Sequence, residues 1–463
     1  MRNYTKATLA VVGMSTALLA GNALAVSYQE FQHKVLPDSF YAGLPLSITP
    51  YTGITFNPQL GTYVWGYKVG GAPQYYPGFT VEAQKGTATA VTYTNNLGTA
   101  AIPPILQRYL TVDQTLMWAN PLGLAANNPA RFAPYSGPQP VVPHLHGGEV
   151  RSDSDGGPDE WWTPGGEGFL TTPPAPGGIR GPGYYKNVFD YPNTQEAATI
   201  WFHDHALGVT RTNVYAGLAA FWFIRDAFDT GTAGLGLNLP AGNQEIEIAF
   251  QDRQFDTDGQ WLFPDGFPAG AGLNGDPTNP TVHPFWNPEF FGDVIVVNGR
   301  SWPFLVVEPQ RYRFRLLNGS NARVYEMRVD EKKNPARFVP GPPIWVIGTD
   351  GGLLDAPAIA SSTPTNRLII APGERYDVII DFAAFAGKTL TIKNSANGPF
   401  PGGPIVPDPN GTAQLMQFKV NLPIVGTDTS FNPAPAKATR QMFLDATYEG
   451  DLMAAANVSC TVG

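Results

Sequence analysis

Hydrophobic residues along this chain fall mainly in short runs separated by glycine, proline and asparagine. Such runs, rich in valine, isoleucine, threonine, tyrosine and phenylalanine, are typical of β-strands bounded by turns. No later stretch has a helical period comparable in length to the N-terminal apolar run. The pattern therefore predicts an all-β fold of Greek-key sandwiches or barrels. The clearest predicted strands are residues 90–94, 199–202, 245–250, 294–297 and 376–380.

Residues 311–316 alternate arginine with tyrosine, phenylalanine and leucine. Successive side chains of a strand point to opposite faces of a sheet. We therefore expect a strand here with its apolar face in the core and its arginines in water.

Two changes in composition suggest domain boundaries. The first lies near residues 227–243, after an apolar run, and the second lies near residues 422–437, where prolines interrupt the strands. Two glycine- and proline-rich stretches, 156–184 and 264–292, are expected to be long ordered loops, which are often functional.

The N-terminus resembles a secretory signal. Arg2 and Lys6 precede an apolar run over residues 7–20, and Ala23, Leu24 and Ala25 form the small-x-small pattern of a cleavage site. We expect residues 1–25 to be a signal peptide and the mature chain to be exported. No later stretch has the roughly 18 consecutive apolar residues of a membrane span.

Composition excludes several classes of protein. Apolar residues make up 43 % of the chain and charged residues 14 %, which is enough apolar material for sizeable cores and excludes disorder of the whole chain. The net charge is −9 and no basic block occurs, which argues against nucleic-acid binding. A small-molecule or redox function fits this composition better.

Four of the six histidines form two His-x-His pairs, His144 with His146 and His203 with His205. Residues i and i+2 of a strand share one face, so each pair presents two imidazoles to one point. Neutral imidazole is a common ligand of copper and zinc, and the pairs therefore predict a metal site. A single such pair is more often part of the packing or a surface feature than a metal site, and it is the presence of two pairs that favours metal binding.

The two pairs lie in segments with a strong family resemblance. Residues 142–148 read Val-Pro-His-Leu-His-Gly-Gly, and residues 201–208 read Trp-Phe-His-Asp-His-Ala-Leu-Gly. They resemble the first two copper motifs of multicopper oxidases, in the branch of bacterial spore-coat laccases and bilirubin oxidases. The similarity extends over roughly residues 30–440 and includes residues 152–156, 213–217, 251–253, 298–303, 350–354 and 371–377.

The resemblance implies consecutive cupredoxin-like domains. After the signal peptide, residues 26–230 would form the first domain, with both histidine motifs, and residues 240–430 a metal-free second domain. Residues 431–463 would be the remnant of a third domain. Segments 298–303 and 371–377 of the second domain are interpreted as turns and strand starts with a structural role.

The resemblance also implies roles for individual residues. His144 would bind a type 2 copper, whereas His146, His203 and His205 would bind a type 3 copper pair. Asp155 would assist proton delivery near this cluster; an ordinary turn aspartate is the alternative, because Ser-Asp-Ser-Asp-Gly is good loop chemistry. The implied reaction is oxidation of phenols, pigments or metal ions with reduction of dioxygen to water.

The C-terminal part departs from the family pattern. The family needs further histidines and a type 1 cysteine there, but no histidine follows His283, and Cys460 has no imidazole neighbour in sequence. Isolated His33 and His283 are expected to be structural. We expect an incomplete member of the family. Its metal-bearing face would be exposed, and this predicts association or instability. One form of association is a pair of chains that pool their histidines. The alternative function is a non-catalytic copper- or zinc-binding exported protein.

Overall fold

The computed structural model describes residues 18–19, 23–36, 61–70, 72, 74–99, 104–108, 110, 120–132, 135, 137–256, 259–263, 289–334, 337–360 and 366–434. Strands dominate these ranges, which confirms the predicted all-β class. His283, Cys460 and the expected third-domain remnant beyond residue 434 lie outside the described residues, as does most of the predicted loop 264–292.

The strands before residue 226 form two sheets, which we call the N-terminal sheet pair. One sheet has the order β1-β4-β9-β8-β6 and the other the order β3-β2-β5-β7. The strands are β1 (Leu18–Leu19), β2 (Ala23–His33), β3 (Thr62–Val69), β4 (Val81–Gln84), β5 (Thr89–Asn95), β6 (Pro143–His146), β7 (Val188–Tyr191), β8 (Ala198–Asp204) and β9 (Ala219–Arg225). The described residues contain one α-helix, α1 (Thr210–Ala216), between β8 and β9.

The strands after residue 244 form a second set, the C-terminal sheet pair. One sheet has the order β12-β11-β10-β14-β20-β17-β18, and the other the order β13-β22-β21-β15-β16, with β19 paired to β15. The strands are β10 (Glu245–Arg253), β11 (Val294–Val297), β12 (Arg300–Ser301), β13 (Phe304–Val307), β14 (Arg311–Asn318), β15 (Tyr325–Asn334), β16 (Arg337–Pro340), β17 (Ile344–Thr349), β18 (Gly352–Ala360), β19 (Leu368–Ile370), β20 (Arg375–Asp381), β21 (Thr389–Asn394) and β22 (Gln414–Val420).

Short 3-10 helices complete the regular structure of these ranges. They are Ile105–Arg108, Pro129–Phe132, Ser152–Ser154, Gly242–Gln244 and Ala383–Phe385. All five strands singled out in the sequence coincide with strands of the fold, namely β5, β8, β10, β11 and β20.

Each sheet pair encloses an aromatic core. In the N-terminal pair, Tyr67 of one sheet packs on Phe202 of the other with ring centroids 4.7 Å apart. In the C-terminal pair, Phe314 of β14 packs on Phe418 of β22 at 5.1 Å. Burying such large rings between two sheets supplies the main stabilisation of a β-sandwich.

The expectation that the arginines of β14 lie in water is wrong. Arg313 and Arg315 each have side chains only 1 % exposed. Their face of β14 lies against the N-terminal sheet pair, where both guanidinium groups bind Asp229 at 2.7 and 2.6 Å. Both faces of this strand are therefore buried, one in the apolar core and one in an ion-pair cluster between the two sheet pairs. The cluster also contains Arg225, Glu245, Glu82 and Asp377.

Strand β2 runs through the predicted cleavage site. Ala23, Leu24 and Ala25 pair in parallel with β5, and Leu24 is buried. Cleavage after Ala25 would remove the first three residues of this strand. In the part of the chain that the structure describes, no helix is long and apolar enough to cross a membrane.

Candidate metal centre

The two histidine motifs lie on paired strands. Strands β6 and β8 are antiparallel, and His144 lies directly opposite His203. His146, two residues along β6, points to the same face as His144, and His205 follows β8 by one residue. Gly147, directly after the first pair, has a φ angle of +89°, a backbone region that glycine adopts readily at a turn.

All four imidazoles come together. The His144 ring centroid is 5.7 Å from that of His146, 5.5 Å from that of His203 and 4.8 Å from that of His205. One ligand nitrogen from each of His144, His146 and His203 lies within 4.8 Å of the others. The four predicted ligands are therefore neighbours on one surface of the N-terminal sheet pair.

Backbone carbonyl groups fix the orientation of two rings. His144 Nδ1 donates to the Asp155 carbonyl oxygen at 2.7 Å, and His203 Nδ1 donates to the Asp204 carbonyl oxygen at 2.7 Å. Because each Nδ1 carries the proton, each neutral ring presents an Nε2 lone pair. His146 Nδ1 then donates to His203 Nε2 at 3.1 Å.

His205 provides an orphaned polar atom. Its Nδ1 is buried and has no hydrogen-bond partner among the described residues. Leaving a buried polar nitrogen unpaired costs about 1–3 kcal/mol, and a bound metal ion removes this cost. The unpaired Nδ1 of His205 therefore fits a role as a metal ligand.

Burial keeps three of the rings neutral. It lowers the pKa of His146 to about 4, with further contributions from the Arg375 charge and from His144. Burial also lowers the pKa of His203 well below its usual value, and it lowers that of His205. Neutral imidazoles are the form that binds metal ions, so these rings need no deprotonation near neutral pH.

Asp204 is a buried carboxylate between the two histidines of the second motif. Its carboxylate accepts hydrogen bonds from Val142 N at 3.0 Å, Ala206 N at 3.2 Å and Asn213 Nδ2 at 2.9 Å. It thereby connects β6, the end of β8 and α1. Burial raises the pKa of Asp204 to about 7, against the opposing effect of these donors. The sequence analysis missed this residue, although its place between two histidines was a signal.

Trp201 is a second missed neighbour. Its ring lies 4.3 Å from the His203 ring at an interplanar angle of 34° and 5.3 Å from the His146 ring at 30°. One aromatic plane therefore restricts two imidazoles. The alternation of β8, which puts residues 201 and 203 on one face, was the signal for it.

Asp155 lies at the edge of the cluster. Its Oδ1 is 3.4 Å from His144 Nδ1, and its side chain is 50 % exposed. The backbone carbonyl of the same residue holds the ring more closely. The carboxylate is therefore placed between the imidazoles and water.

His33 lies elsewhere, as expected. Its Nε2 is 3.0 Å from the Gly299 carbonyl oxygen, and its ring packs near Tyr76. Burial lowers the pKa of His33 to about 4, and the Arg300 charge adds to this. His33 thus joins β2 to the C-terminal sheet pair and is not part of the histidine cluster.

The C-terminal sheet pair also reaches the cluster, which the sequence interpretation of residues 371–377 did not anticipate. Gly373 lies next to His146 and Trp201. Arg375 is 2 % exposed and donates from Nε to the Thr199 carbonyl oxygen at 3.1 Å. A segment interpreted as structural is therefore a neighbour of the predicted ligands.

Comparison with known proteins identifies the family. No family model matches the chain. It is 37 % identical over 351 residues to a laccase from Bacillus stratosphericus, covering 76 % of this chain and 57 % of the laccase. It is 33 % identical over 361 residues to multicopper oxidase LPR1 from Arabidopsis thaliana, covering 78 % of this chain and 52 % of that protein. The chain belongs to the multicopper oxidase family.

A solved multicopper oxidase shares the fold. The McoA multicopper oxidase from Aquifex aeolicus aligns with a TM-score of 0.56 at 21 % sequence identity, covering 91 % of this chain and 66 % of that one. The sheets described above are thus those of cupredoxin-like domains. This multicopper oxidase chain spans little more than half the length of the two curated relatives.

Family membership implies copper, and the cluster suits it. Imidazole nitrogens are ligands that copper binds well, and backbone carbonyls already orient two of the rings. The buried, unpaired Nδ1 of His205 also fits a bound ion. The donor set of this multicopper oxidase is therefore compatible with copper.

Proposed function

We propose that this chain carries the N-terminal imidazole ligands of the copper cluster of a laccase-like oxidase. The observation that carries the proposal is the meeting of four imidazoles from two paired strands, His144 and His146 on β6 and His203 and His205 at the end of β8. Family membership supports copper as the metal.

Individual roles follow the family resemblance. His144 would bind a type 2 copper, and His146, His203 and His205 would bind a type 3 pair. By the resemblance, these four residues are half of the histidines that bind the cluster, and the type 1 site has further ligands of its own. No histidine follows His283 in this sequence, and Cys460 has no histidine beside it. We therefore propose that polypeptide outside these 463 residues supplies the remaining histidines and the type 1 cysteine.

The chain's own residues prepare this half-site. The carbonyl groups of Asp155 and Asp204 accept from the Nδ1–H groups of His144 and His203, so the lone pair of each ring is on Nε2. The His203 lone pair accepts from His146 Nδ1 in this structure, and copper binding at His203 Nε2 would replace that hydrogen bond. Copper, when bound, supplies one-electron redox chemistry toward dioxygen. The half-exposed Asp155 carboxylate is proposed to pass protons between water and the cluster. Asp204 joins the end of β8 to the start of β6 by accepting from Val142 N, and it holds the turn after β8 by accepting from Ala206 N.

The proposed reaction is oxidation of phenolic, pigment or metal-ion substrates with reduction of dioxygen to water. The proposed organisation keeps two cupredoxin domains, 26–230 with the histidines and 240–430 without metal, followed by a third-domain segment from residue 431.

We also propose export to the periplasm, cell surface or medium through residues 1–25. The partly exposed histidine face supports association, including with a second copy of the chain.

Copper content tests the site. Purified protein is loaded with copper, dialysed and analysed for metal alongside the His203→Ala and His205→Ala variants. We expect the wild type to retain copper and both variants to lose most of it. His33→Gln is the matched control, because His33 lies outside the cluster, and it should retain wild-type copper. Equal copper in all four proteins would contradict the proposed site.

Oxygen uptake tests the oxidase. The copper-loaded chain with a phenolic dye should consume little oxygen alone, and adding a polypeptide that contains the missing ligands should restore uptake. Restored uptake that is unaffected by His203→Ala would contradict the assignment.

Sedimentation with and without copper measures association, and a strictly monomeric copper-loaded protein would contradict a shared site between two copies.

A further inference from the structure

The turn of residues 371–374, between β19 and β20, lies against the histidine cluster. A Cβ added at Gly373 would be 3.5 Å from His146 Cε1, 3.9 Å from His146 Nε2 and 3.9 Å from Trp201 Cζ2. These are van der Waals distances to a ring edge and an indole. With glycine at this position, the space beside Nε2 is not filled by a side chain.

This nitrogen is the one that His146 can offer to a metal ion. Its Nδ1 donates to His203 Nε2, so the lone pair of the neutral ring is on Nε2. A metal–imidazole bond is about 2.0–2.1 Å long, and an ion bound at Nε2 needs free volume on that side of the ring. Gly373 is therefore placed where a larger residue would compete with the ion.

Arg375 fixes this turn to the strand that carries the other ligands. Its Nη1 donates to the Gly373 carbonyl oxygen at 2.9 Å, and its Nε donates to the Thr199 carbonyl oxygen of β8 at 3.1 Å. Asp350 Oδ1 pairs with the guanidinium at 3.2 Å. A buried guanidinium with several acceptors holds its partners in one arrangement.

The approach of Arg375 depends on a glycine in the first histidine motif. A Cβ added at Gly147 would be 2.6 Å from Arg375 Nη2, and the φ angle there is +89°. Only glycine adopts this backbone region without strain and leaves room for the guanidinium. The turn after β6 therefore packs directly against the Arg375 side chain, which belongs to the other sheet pair.

We propose that Gly373 and Arg375 are positioning residues of the copper centre, supplied by the second domain. Gly373 keeps the Nε2 side of His146 open, and Arg375 holds the turn at a fixed separation from β8. The inference rests on the proposed function, because it concerns copper binding by the same cluster. The second domain supplies no ligand among its described residues, yet it forms one wall of the site.

A pair of glycine variants tests the first part. Gly373→Val is compared with Gly426→Val, since both glycines have similar φ angles, +82° and +85°, but nothing lies within 4 Å of a Cβ at Gly426. Both variants carry the same kind of backbone strain. We expect Gly373→Val to weaken Cu(II) binding at least about tenfold in a chelator competition. Gly426→Val should bind as the wild type does.

The outcomes separate the inference from the proposed function. Equal Cu(II) affinity for Gly373→Val and the wild type would overturn the inference while leaving the histidine site intact. A wild type that binds no Cu(II) would contradict the proposed function, and the inference with it, before any variant is compared. Thermal melting of both glycine variants shows whether the loss of affinity follows position 373 and not general destabilisation.

Arginine variants test the second part by spectroscopy. Arg375→Met is compared with Arg367→Met, which removes a guanidinium that pairs with Glu326 at 3.0 Å on the same sheet pair. Arg375→Met removes the hydrogen bonds to the carbonyl oxygens of Thr199 on β8 and Gly373 in the turn. We therefore expect this variant to change the hyperfine pattern in the Cu(II) electron paramagnetic resonance spectrum. Arg367→Met should leave it unchanged, and Arg375→Lys should restore it in part. An unchanged pattern in Arg375→Met would overturn the role of Arg375.

Discussion

His144 lies directly opposite His203 in the antiparallel ladder of β6 and β8, with ring centroids 5.5 Å apart. Register in a sheet determines which side chains share a face, and a slip by one residue would turn one histidine away from the other. Asp204 adds to the backbone ladder at this end, because its carboxylate accepts from Val142 N just before β6. The geometry of the candidate copper site is therefore a consequence of strand register.

Replacing Asp155 should separate two roles of this residue. The carbonyl oxygen of Asp155, not its half-exposed carboxylate, holds His144 Nδ1 at 2.7 Å. A contact of 3.4 Å to a half-exposed carboxylate contributes at most about 1 kcal/mol, so Asp155→Ala should weaken Cu(II) binding by less than about fivefold. Chelator competition measures this, and a loss well beyond tenfold would show that the carboxylate orients the ring.

His146 should remain neutral in weakly acidic solution. Burial, the Arg375 charge and His144 lower its pKa to about 4, whereas an unperturbed histidine titrates near 6.5. In metal-free protein, the His146 Cε1–H resonance should therefore stay at its neutral position from pH 7 to about pH 5. The spectrum of His146→Asn assigns the resonance. A titration midpoint near 6.5 would contradict the described burial.

His33 should make the protein less stable in acid. Burial and the Arg300 charge lower its pKa in the folded state to about 4, but the unfolded chain binds the proton near pH 6.5. Between these values the unfolded state holds more protons, so the free energy of unfolding decreases as pH falls from 6.5 to 4. The contribution of neutral His33 to the free energy of unfolding is fully present above about pH 6.5. By pH 4 about 3 kcal/mol of it is lost.

A glutamine variant isolates this effect. His33→Gln retains an N–H donor for the Gly299 carbonyl but has no group that titrates in this range. Urea unfolding at pH 7 and pH 4.5 should show a steeper loss of stability in the wild type than in His33→Gln. Parallel losses in the two proteins would show that His33 is accessible to protons in the folded state.

Asp229 should be a major determinant of stability between the two sheet pairs. Burial opposes its ionisation, but Arg313 and Arg315 outweigh this and hold the pKa of Asp229 well below its usual range. Asp229→Asn leaves buried guanidinium groups without their shared carboxylate, which should cost about 3–5 kcal/mol of unfolding free energy. Urea unfolding measures the difference.

A partly exposed aspartate provides the control for this experiment. Asp153 pairs with Arg151 at 3.0 Å, and the Arg151 side chain is 80 % exposed. Asp153 also lies 3.6 Å from the Lys186 ammonium group, which has a closer partner in Asp190 at 3.0 Å. Asp153→Asn should cost less than about 1 kcal/mol, because water screens the Arg151 pair and Lys186 keeps Asp190. Similar losses for Asp229→Asn and Asp153→Asn would show that the buried ion pairs add little to the stability of the interface.

The strands were predictable because they depend on local pattern. Runs of β-branched and aromatic residues between turns marked β5, β8, β10, β11 and β20 correctly. The arginine face of β14 was wrong for a non-local reason. Alternation identifies two faces of a strand but does not say what covers each of them, and here the carboxylates that pair with Arg313 and Arg315 come from Asp229, Glu245 and Asp377.

By itself, the sequence determined that two His-x-His pairs lie on strands with both rings on one face, since side-chain alternation is a property of the extended chain. Tertiary structure decided that the pairs meet, because the pairing of β6 with β8 joins residues 57 positions apart, as the His146–His203 contact shows. It also decided that Gly373 and Arg375 form a wall of the site, which requires the packing of one sheet pair against the other. Contacts between distant segments depend on the whole fold, and no local pattern in the chain encodes them.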